Sequence, residues 1–363
     1  MIRGEHGVMI RRLALLAAAF LATAEAPPPP ATLAPYLTGG TFRPGDYGWL
    51  RGAFDDATPA QKAKWHVLDA WLKQCRQDSA AQTRAELIAL GIVDPKIRPT
   101  AYGDTPCGAV GRAFPQGDMG DDWSLFQTKL ASARRVAVTL VWSAALAQAV
   151  GDEAGDILTA QLIARPITDQ VLRTSLAWNQ GPTKGAPPLD PMEAGIVRGL
   201  TWSAIAARDH ANTVWMKTVV AKHGWPTIAM VGAQASSSAW MLVQHADDDP
   251  VFQLKMLRLM EPLAARGQVS PHNYALLYDR VMLQMVGTQR YGTQMSCETG
   301  SWQPFPLEDA AKVEGYRHAA GLNTMAQNAA RILHENGPCP PMPPAHCRKV
   351  ASARHIPTLI PGS

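Results

Sequence analysis

Between His223 and Gln294 the chain sets ionisable and amide side chains inside apolar runs, where a purely structural helix would carry Leu or Ala. The pieces are HGWP at 223–226, AWMLVQHADDDP at 239–250, NYALLYDRVMLQMVG at 273–287 and QRYGTQ at 289–294. Burying such groups costs a few kcal/mol apiece unless they are paired, so their presence asks for partners or for chemistry. His245 is the natural acid/base, with Asp247 or Asp279 to orient it. Arg280 or Arg317 would hold an anionic group, and Gln244, Gln289, Tyr291, Thr293 and Gln294 would position a ligand through hydrogen bonds. Catalytic weight therefore falls on His245, Asp279 and Arg280.

Structural explanations compete at each position. Gly224 suits a left-handed helix end, Pro226 stops continuation, and His223 in the last turn complements the helix dipole. Asp249 before Pro250 is a natural N-cap, and Asp248 reads the same way. Asp279 and Arg280 interrupt an otherwise apolar helix. Adjacent residues point about 100° apart, so the two are expected to reach different partners. Asp169 and Arg173, four apart and acid-first, suit an intrahelical pair.

No GxSxG elbow, HExxH, P-loop or GxGxxG after a strand occurs. Zinc could be sought through His223, His245 and a carboxylate, but no helical HxxxH pair exists, and neither metal nor cofactor is assigned. A serine nucleophile could be sought in Ser236–Ser238, where nothing singles one out. The reading is a hydrolase or transferase acting on a small or anionic substrate, or else a non-catalytic ligand-, peptide- or cell-wall-binding module.

The surrounding elements are mostly helical. Residues 1–26 read as a secretory signal peptide: Arg11 and Arg12, then LALLAAAFLATAEA with small-x-small cleavage sites. Its apolar run of about 12 residues falls short of the roughly 20 needed to span a bilayer. Export to the periplasm or medium follows, without stable membrane insertion after cleavage. The 363-residue chain carries 34 basic and 30 acidic side chains, a net +4. That weak, evenly spread charge excludes a nucleic-acid footprint. Five cysteines in an exported chain favour disulfides, and the expected pairs are Cys75–Cys107 and Cys339–Cys347, with Cys297 left as a free thiol.

A Pro/Gly-rich lead-in occupies 27–45, a small helical module 46–117, a helical bundle-like domain 122–335 and a Pro-rich tail 336–363. In the module Thr58 and Pro59 open one helix and SAAQTRAELIALG forms a second. An irregular stretch with possible short strands then runs to Gly120. The helix from Asp122 is apolar nearly all round in its second half, as a central helix would be. A helix from Pro191 toward Lys222 carries Asp209 and Asn212. A hairpin turning near Glu298–Gly300 follows the QRYGTQ segment, and one last helix runs from Leu307 to His334. The fold class is mainly α with a small β-hairpin.

HGWP, QHAD, the Asp279-Arg280 pair and QRYGTQ, with DQVLR at 169–173, DHANT at 209–213 and YRHAAGL at 316–322, together resemble a bacterial family, domain of unknown function 6624. The resemblance covers about residues 160–330. Carried over position by position, it implies Asp169, Gln170, Arg173, Asp209, Asn212, His223, Gln244, His245, Asp279, Arg280, Gln289, Tyr291, Gly292, Thr293, Gln294 and Arg317. The family's paired arginine before the last helix appears here as Tyr316-Arg317, leaving one member unmatched. The resemblance implies no activity.

Overall fold

The computed structural model describes residues 28–39, 41–113, 119–153, 157–176, 189–297 and 300–339. The protein is mainly α-helical, with two small antiparallel two-stranded sheets. Cys347, the signal region and the Pro-rich tail beyond Cys339 lie outside the described residues.

A short hairpin, β1 (Leu37–Thr38) with β2 (Thr41–Phe42), precedes α1 (Pro59–Ala89). Thr58 caps α1 in a reciprocal capping box with Gln61. The two helices expected here are one, 31 residues long. No Gly or Pro lies between Arg76 and Ser79, and the Ser79 hydroxyl accepts from the Tyr102 backbone N–H at 2.8 Å instead of breaking its own helix. The expected irregular stretch holds a short helix, α2 (Pro106–Ala113). Cys107 on α2 is joined to Cys75 on α1.

Next come α3 (Trp123–Asp152), α4 (Leu158–Ser175) and α5 (Pro191–His223), the last capped by Asp190. The second half of α3 is not central. It packs on α4 and α5 along one side, and Trp142 and Leu146 remain 70% and 65% exposed on the other. An all-round apolar pattern recorded composition here, not burial on every face.

The bundle continues with α6 (Ile228–Gln244), α7 (Pro250–Ala264) and α8 (Pro271–Val286), capped by Thr227, Asp249 and Ser270. β3 (Met295–Ser296) and β4 (Gln303–Pro304) form the expected hairpin, whose residues 298–299 lie outside the described set. The expected last helix is two, α9 (Val313–Ala319) and α10 (Met325–Asn336). Gly321 at φ +68° ends the first, and Thr324 restarts the second with a capping box.

Cys339 pairs with Cys297, not with Cys347, and Cys297 is not a free thiol. The pairing follows from position: Trp302 Nε1 donates to Gly337 O at 2.9 Å, which brings the end of α10 against the hairpin carrying Cys297. Sequence proximity along GPCPPMPPAHC gave no view of that contact.

Two large cores, and a small cluster of Ala144, Leu172 and Ile205 between α3, α4 and α5, hold the described residues together. One gathers Leu33, Trp49, Leu68, Trp71, Phe126, Leu130 and Ile196, drawing on residues from both sides of Gly120. The larger gathers Leu87, Met216 and most buried side chains of α6, α7 and α8. Because α1 and α5 each contribute to both, these long helices fix the larger core relative to the smaller one.

Candidate functional site

The helical repeat assembles the site. On α4, Arg165, Asp169 and Arg173 recur every four residues and so share one face. On α5, Asp209 and Asn212 are three apart and turn toward that face. The end of α6 delivers His245, and the turn after it Asp247. Leu242, Val243 and Ala246 anchor this end in the larger core.

The face-to-face stripes bond. Asp169 Oδ1 accepts from Arg173 Nε at 2.6 Å, and Arg173 Nη2 donates to Asp209 Oδ2 at 2.7 Å. Asp169 Oδ2 meets His245 Nδ1 at 2.7 Å and accepts from Gln170 Nε2 at 2.9 Å. Arg165 Nη1 donates to Asn212 Oδ1 at 3.3 Å while its guanidinium lies over the Trp215 ring. From the other side, Arg280 of α8 donates through Nε to Asp247 Oδ1 at 2.7 Å and through Nη2 to Oδ2. Gln253 Nε2 reaches the same carboxylate at 3.3 Å.

The charges are set by burial and pairing. Burial works to raise the Asp169 carboxyl, but the His245 hydrogen bond and the Arg173 charge outweigh it and hold the group at about 2. Burial pushes His245 below its ordinary value, so the imidazole is neutral at pH 7. It also drives Asp209 well above the ordinary carboxylate range, helped by repulsion from Asp169 and Asp247 and opposed by Arg173. Three acids of one helical neighbourhood thus fall into unlike states: Asp169 and Asp247 ionised, Asp209 proton-binding.

Several buried polar atoms here have no hydrogen-bond partner among the described residues: Asp209 Oδ1, Asn212 Nδ2, Arg280 Nη1, Gln253 Oε1 and both amide atoms of Gln244. Such atoms each cost about 1–3 kcal/mol and are uncommon outside functional sites or water sites. His245 Nε2 also has no hydrogen-bonding partner among the described residues. An apolar groove of about 520 Å³ runs alongside between α4 and α6. Gln170 lines it while bonding Asp169, and Met241, one turn before His245, lines the facing wall.

Asp169, Asp209 and His245 offer ligand atoms all within 4.8 Å of one another, a set that could hold a divalent ion. Arg173 already bonds both carboxylates, so an ion would have to displace a guanidinium. The arrangement suits an arginine as its cation.

Asp279 does not join this site. Its Oδ1 accepts from the backbone N–H groups of Arg290 and Tyr291 and its Oδ2 from that of Thr293, each at 2.8 Å. Gln289 Nε2 donates to Gln294 O and Phe305 O and its Oε1 accepts from Gln294 N. Arg317 donates to the carbonyls of Tyr291 and Asn323. Gly292 is required where it stands: φ is +63°, and a Cβ there would meet Met325 Sδ at 2.7 Å. Of the five residues expected to bind substrate through QRYGTQ and Arg317, Gln289 and Arg317 bond this loop through their side chains, and Tyr291, Thr293 and Gln294 join it through their backbones. Asp279 and Arg280 do reach different partners, one on each side of α8.

His223 is exposed at the end of α5 and stays outside both networks. Asp249 caps α7 as expected, but Asp248 does not cap. It accepts from Arg112 Nη1 at 3.3 Å and faces His210 Nδ1 at 2.8 Å, while His210 Nε2 faces Asp104 at 2.6 Å. Sequence reasoning missed His210, although DHANT contains it; its position beside Asp209, turned about 100° away, was the available signal.

The Asp248 hydrogen bond raises His210 above its ordinary value, against burial and the Arg112 charge. A raised folded-state value means stability present below about pH 6.5 and lost as pH rises through the folded value. The wild type is therefore expected to lose up to about 1 kcal/mol more than His210→Gln between pH 6 and pH 8.5, the exposed Asp104 side limiting the effect. Urea unfolding at the two pH values checks this, and parallel losses in both proteins would refute it.

No curated protein and no solved structure matches the chain. Residues 193–337 match the model of a family of unknown function, DUF6624, so Asp169, Gln170 and Arg173 precede the matched segment while Asp209, His245 and Arg280 lie within it. Over that segment, from α5 through α10, the chain is similar to this family of unknown function.

Proposed function

We propose that this is an exported hydrolase or group-transfer enzyme whose acid–base centre is the Asp169–His245 dyad. The observation that carries the reading is the imidazole itself: Nδ1 is held by an ionised, buried carboxylate while Nε2 has no hydrogen-bonding partner among the described residues. A neutral imidazole so oriented takes a proton at Nε2 from water or from a substrate hydroxyl. Asp209, which keeps its proton to higher pH, is the donor to a leaving group. Arg173 holds the two carboxylates apart in role, and Arg280 Nη1 is the donor left over for a substrate oxygen. No Ser, Thr or Cys side chain bonds His245 among the described residues, which favours water as the nucleophile. The apolar groove past Gln170 and Met241 suits a small substrate with an apolar arm.

Export is supported by two disulfides, which persist in oxidising compartments, and by the basic–apolar–small start of the sequence. No helix among the described residues is long and apolar enough to cross a membrane. Periplasm or medium is the proposed location.

The second reading, a binding module that breaks no bond, is favoured by the depth of the dyad, with His245 only 6% exposed and Asp169 1%. Chromogenic ester, amide, phosphoester and glycoside panels on wild type and His245→Gln separate the two. Turnover of one class, reduced about 10²–10⁴-fold in a folded His245→Gln, is expected for an acid–base residue. Turnover unchanged in that variant would end the reading of the dyad as acid–base centre, and ligand binding without turnover would establish the module.

A further inference from the structure

A second cleft, also about 520 Å³, opens between α1 and α7, with Lys217 of α5 at its edge. Tyr102, Val251 and Phe252, all at least nine-tenths buried, form an apolar floor. The α1 wall contributes Thr83 and Glu86, and Asp104 stands at the loop rim. The opposite side carries Lys217 of α5 and Lys255 of α7, with Asp249 paired to Lys217 and Asp248 paired to Arg112.

Three facts distinguish this cleft from an ordinary surface dent. Thr83 is 7% exposed and lines the cleft, yet its hydroxyl makes no hydrogen bond among the described residues. Two other helical threonines, Thr201 and Thr213, bond the carbonyl four residues back. Lys217 is already paired with Asp249, which leaves Lys255 as the cation without a carboxylate on that wall. Glu86 on the facing wall receives only a side-chain amide, from Gln82 at 3.1 Å.

We infer that this cleft binds a small zwitterion, an amino acid or short peptide with free termini. Its carboxylate goes to Lys255, its ammonium to Glu86 and Asp104, a polar backbone atom to the Thr83 hydroxyl, and its side chain to the Tyr102–Phe252 floor. Opposite charges on facing walls over an apolar base match that ligand and disfavour a purely anionic or purely cationic one. The inference is independent of the dyad.

Calorimetric titration of the whole chain, disulfides intact, with glycylphenylalanine tests it. N-acetylation or C-terminal amidation of the dipeptide is each expected to weaken binding about threefold to fivefold, the range for one partly exposed ion pair. Lys255→Gln should abolish the penalty of amidation, Glu86→Gln should reduce that of acetylation, and Thr83→Val should weaken all forms alike. Lys255→Gln and Glu86→Gln are surface changes, Thr83→Val keeps the shape of the buried side chain, and His245→Gln should bind as wild type; urea unfolding of each variant checks that folding is intact. Equal affinity for free and blocked dipeptides overturns the assignment. So does no binding at millimolar dipeptide, or binding lost in His245→Gln but not in the cleft variants.

Discussion

Replacing Asp279 with alanine is expected to lower the unfolding free energy by about 3–5 kcal/mol, although the residue lies off the proposed reaction centre. The carboxylate gathers three backbone N–H groups of the 290–293 loop, and the side chain is fully buried at the centre of α8. Burial pushes this carboxyl above the ordinary range and the backbone donors pull against that push. Truncation leaves three donors facing a cavity. Each unsatisfied donor costs about 1–3 kcal/mol, and entering water recovers part, which brings the sum into the stated range. Asp279→Asn keeps one acceptor oxygen but turns an N–H toward an N–H, so about half the loss is expected. Arg317→Met should act on the same loop from the opposite side, because Arg317 holds the carbonyls where Asp279 holds the amides. Chemical denaturation of the three variants reads this directly. An Asp279→Ala protein within about 1 kcal/mol of wild type would show that the loop does not depend on the latch.

The latch explains why one long polar stretch looked like a single site in the sequence. Polar residues buried among apolar ones announce that partners exist, without naming them. Helix periodicity separates Asp279 from Arg280 by angle, and that separation was legible. What it could not give is the identity of the facing element. Asp279 met a loop eleven residues downstream, which needed only backbone amides, whereas Arg280 met Asp247 across the bundle. The caps at Thr58 and Asp249 were legible for the same local reason: each acts within three residues of itself. Cys297–Cys339 was not, since the pairing depends on how α10 returns to the hairpin. The dyad falls between these cases. Asp169 and His245 were each singled out, and only the packing of α4 on α6 brought them to 2.7 Å.

Asp169→Asn is the second large effect, and it carries both stability and chemistry. The change removes the anion shared by His245 Nδ1 and Arg173 while leaving both partners buried. Breaking one member of a buried charge network costs about 3–5 kcal/mol, because the remaining charge keeps its desolvation without its compensation. Arg173 still has Asp209, and with Asp169 neutral the repulsion that holds Asp209 protonated falls. Ionisation of Asp209 should return part of the loss, so the lower end of that range is expected. Arg173→Gln alone should cost a similar amount, and the double variant far less than the two losses added, since both act through one pair. The pH dependence has a definite sign. A carboxyl held at about 2 against an ordinary 3.8 contributes stability present above 3.8 and lost as pH falls toward 2. That part amounts to about 2 kcal/mol. The gap between wild type and Asp169→Asn should therefore narrow between pH 5 and pH 2, and a constant gap would place the ionised partner elsewhere. The same substitution frees the imidazole to take its other tautomer, with a carbonyl oxygen or an amide N–H now possible at Nδ1. Nitrogen shifts of His245 should report a proton fixed on Nδ1 in the wild type and a mixture in Asp169→Asn. Where turnover is measured, it should fall with the fraction of the wild-type tautomer, which ties the stability of the network to the chemistry proposed for it.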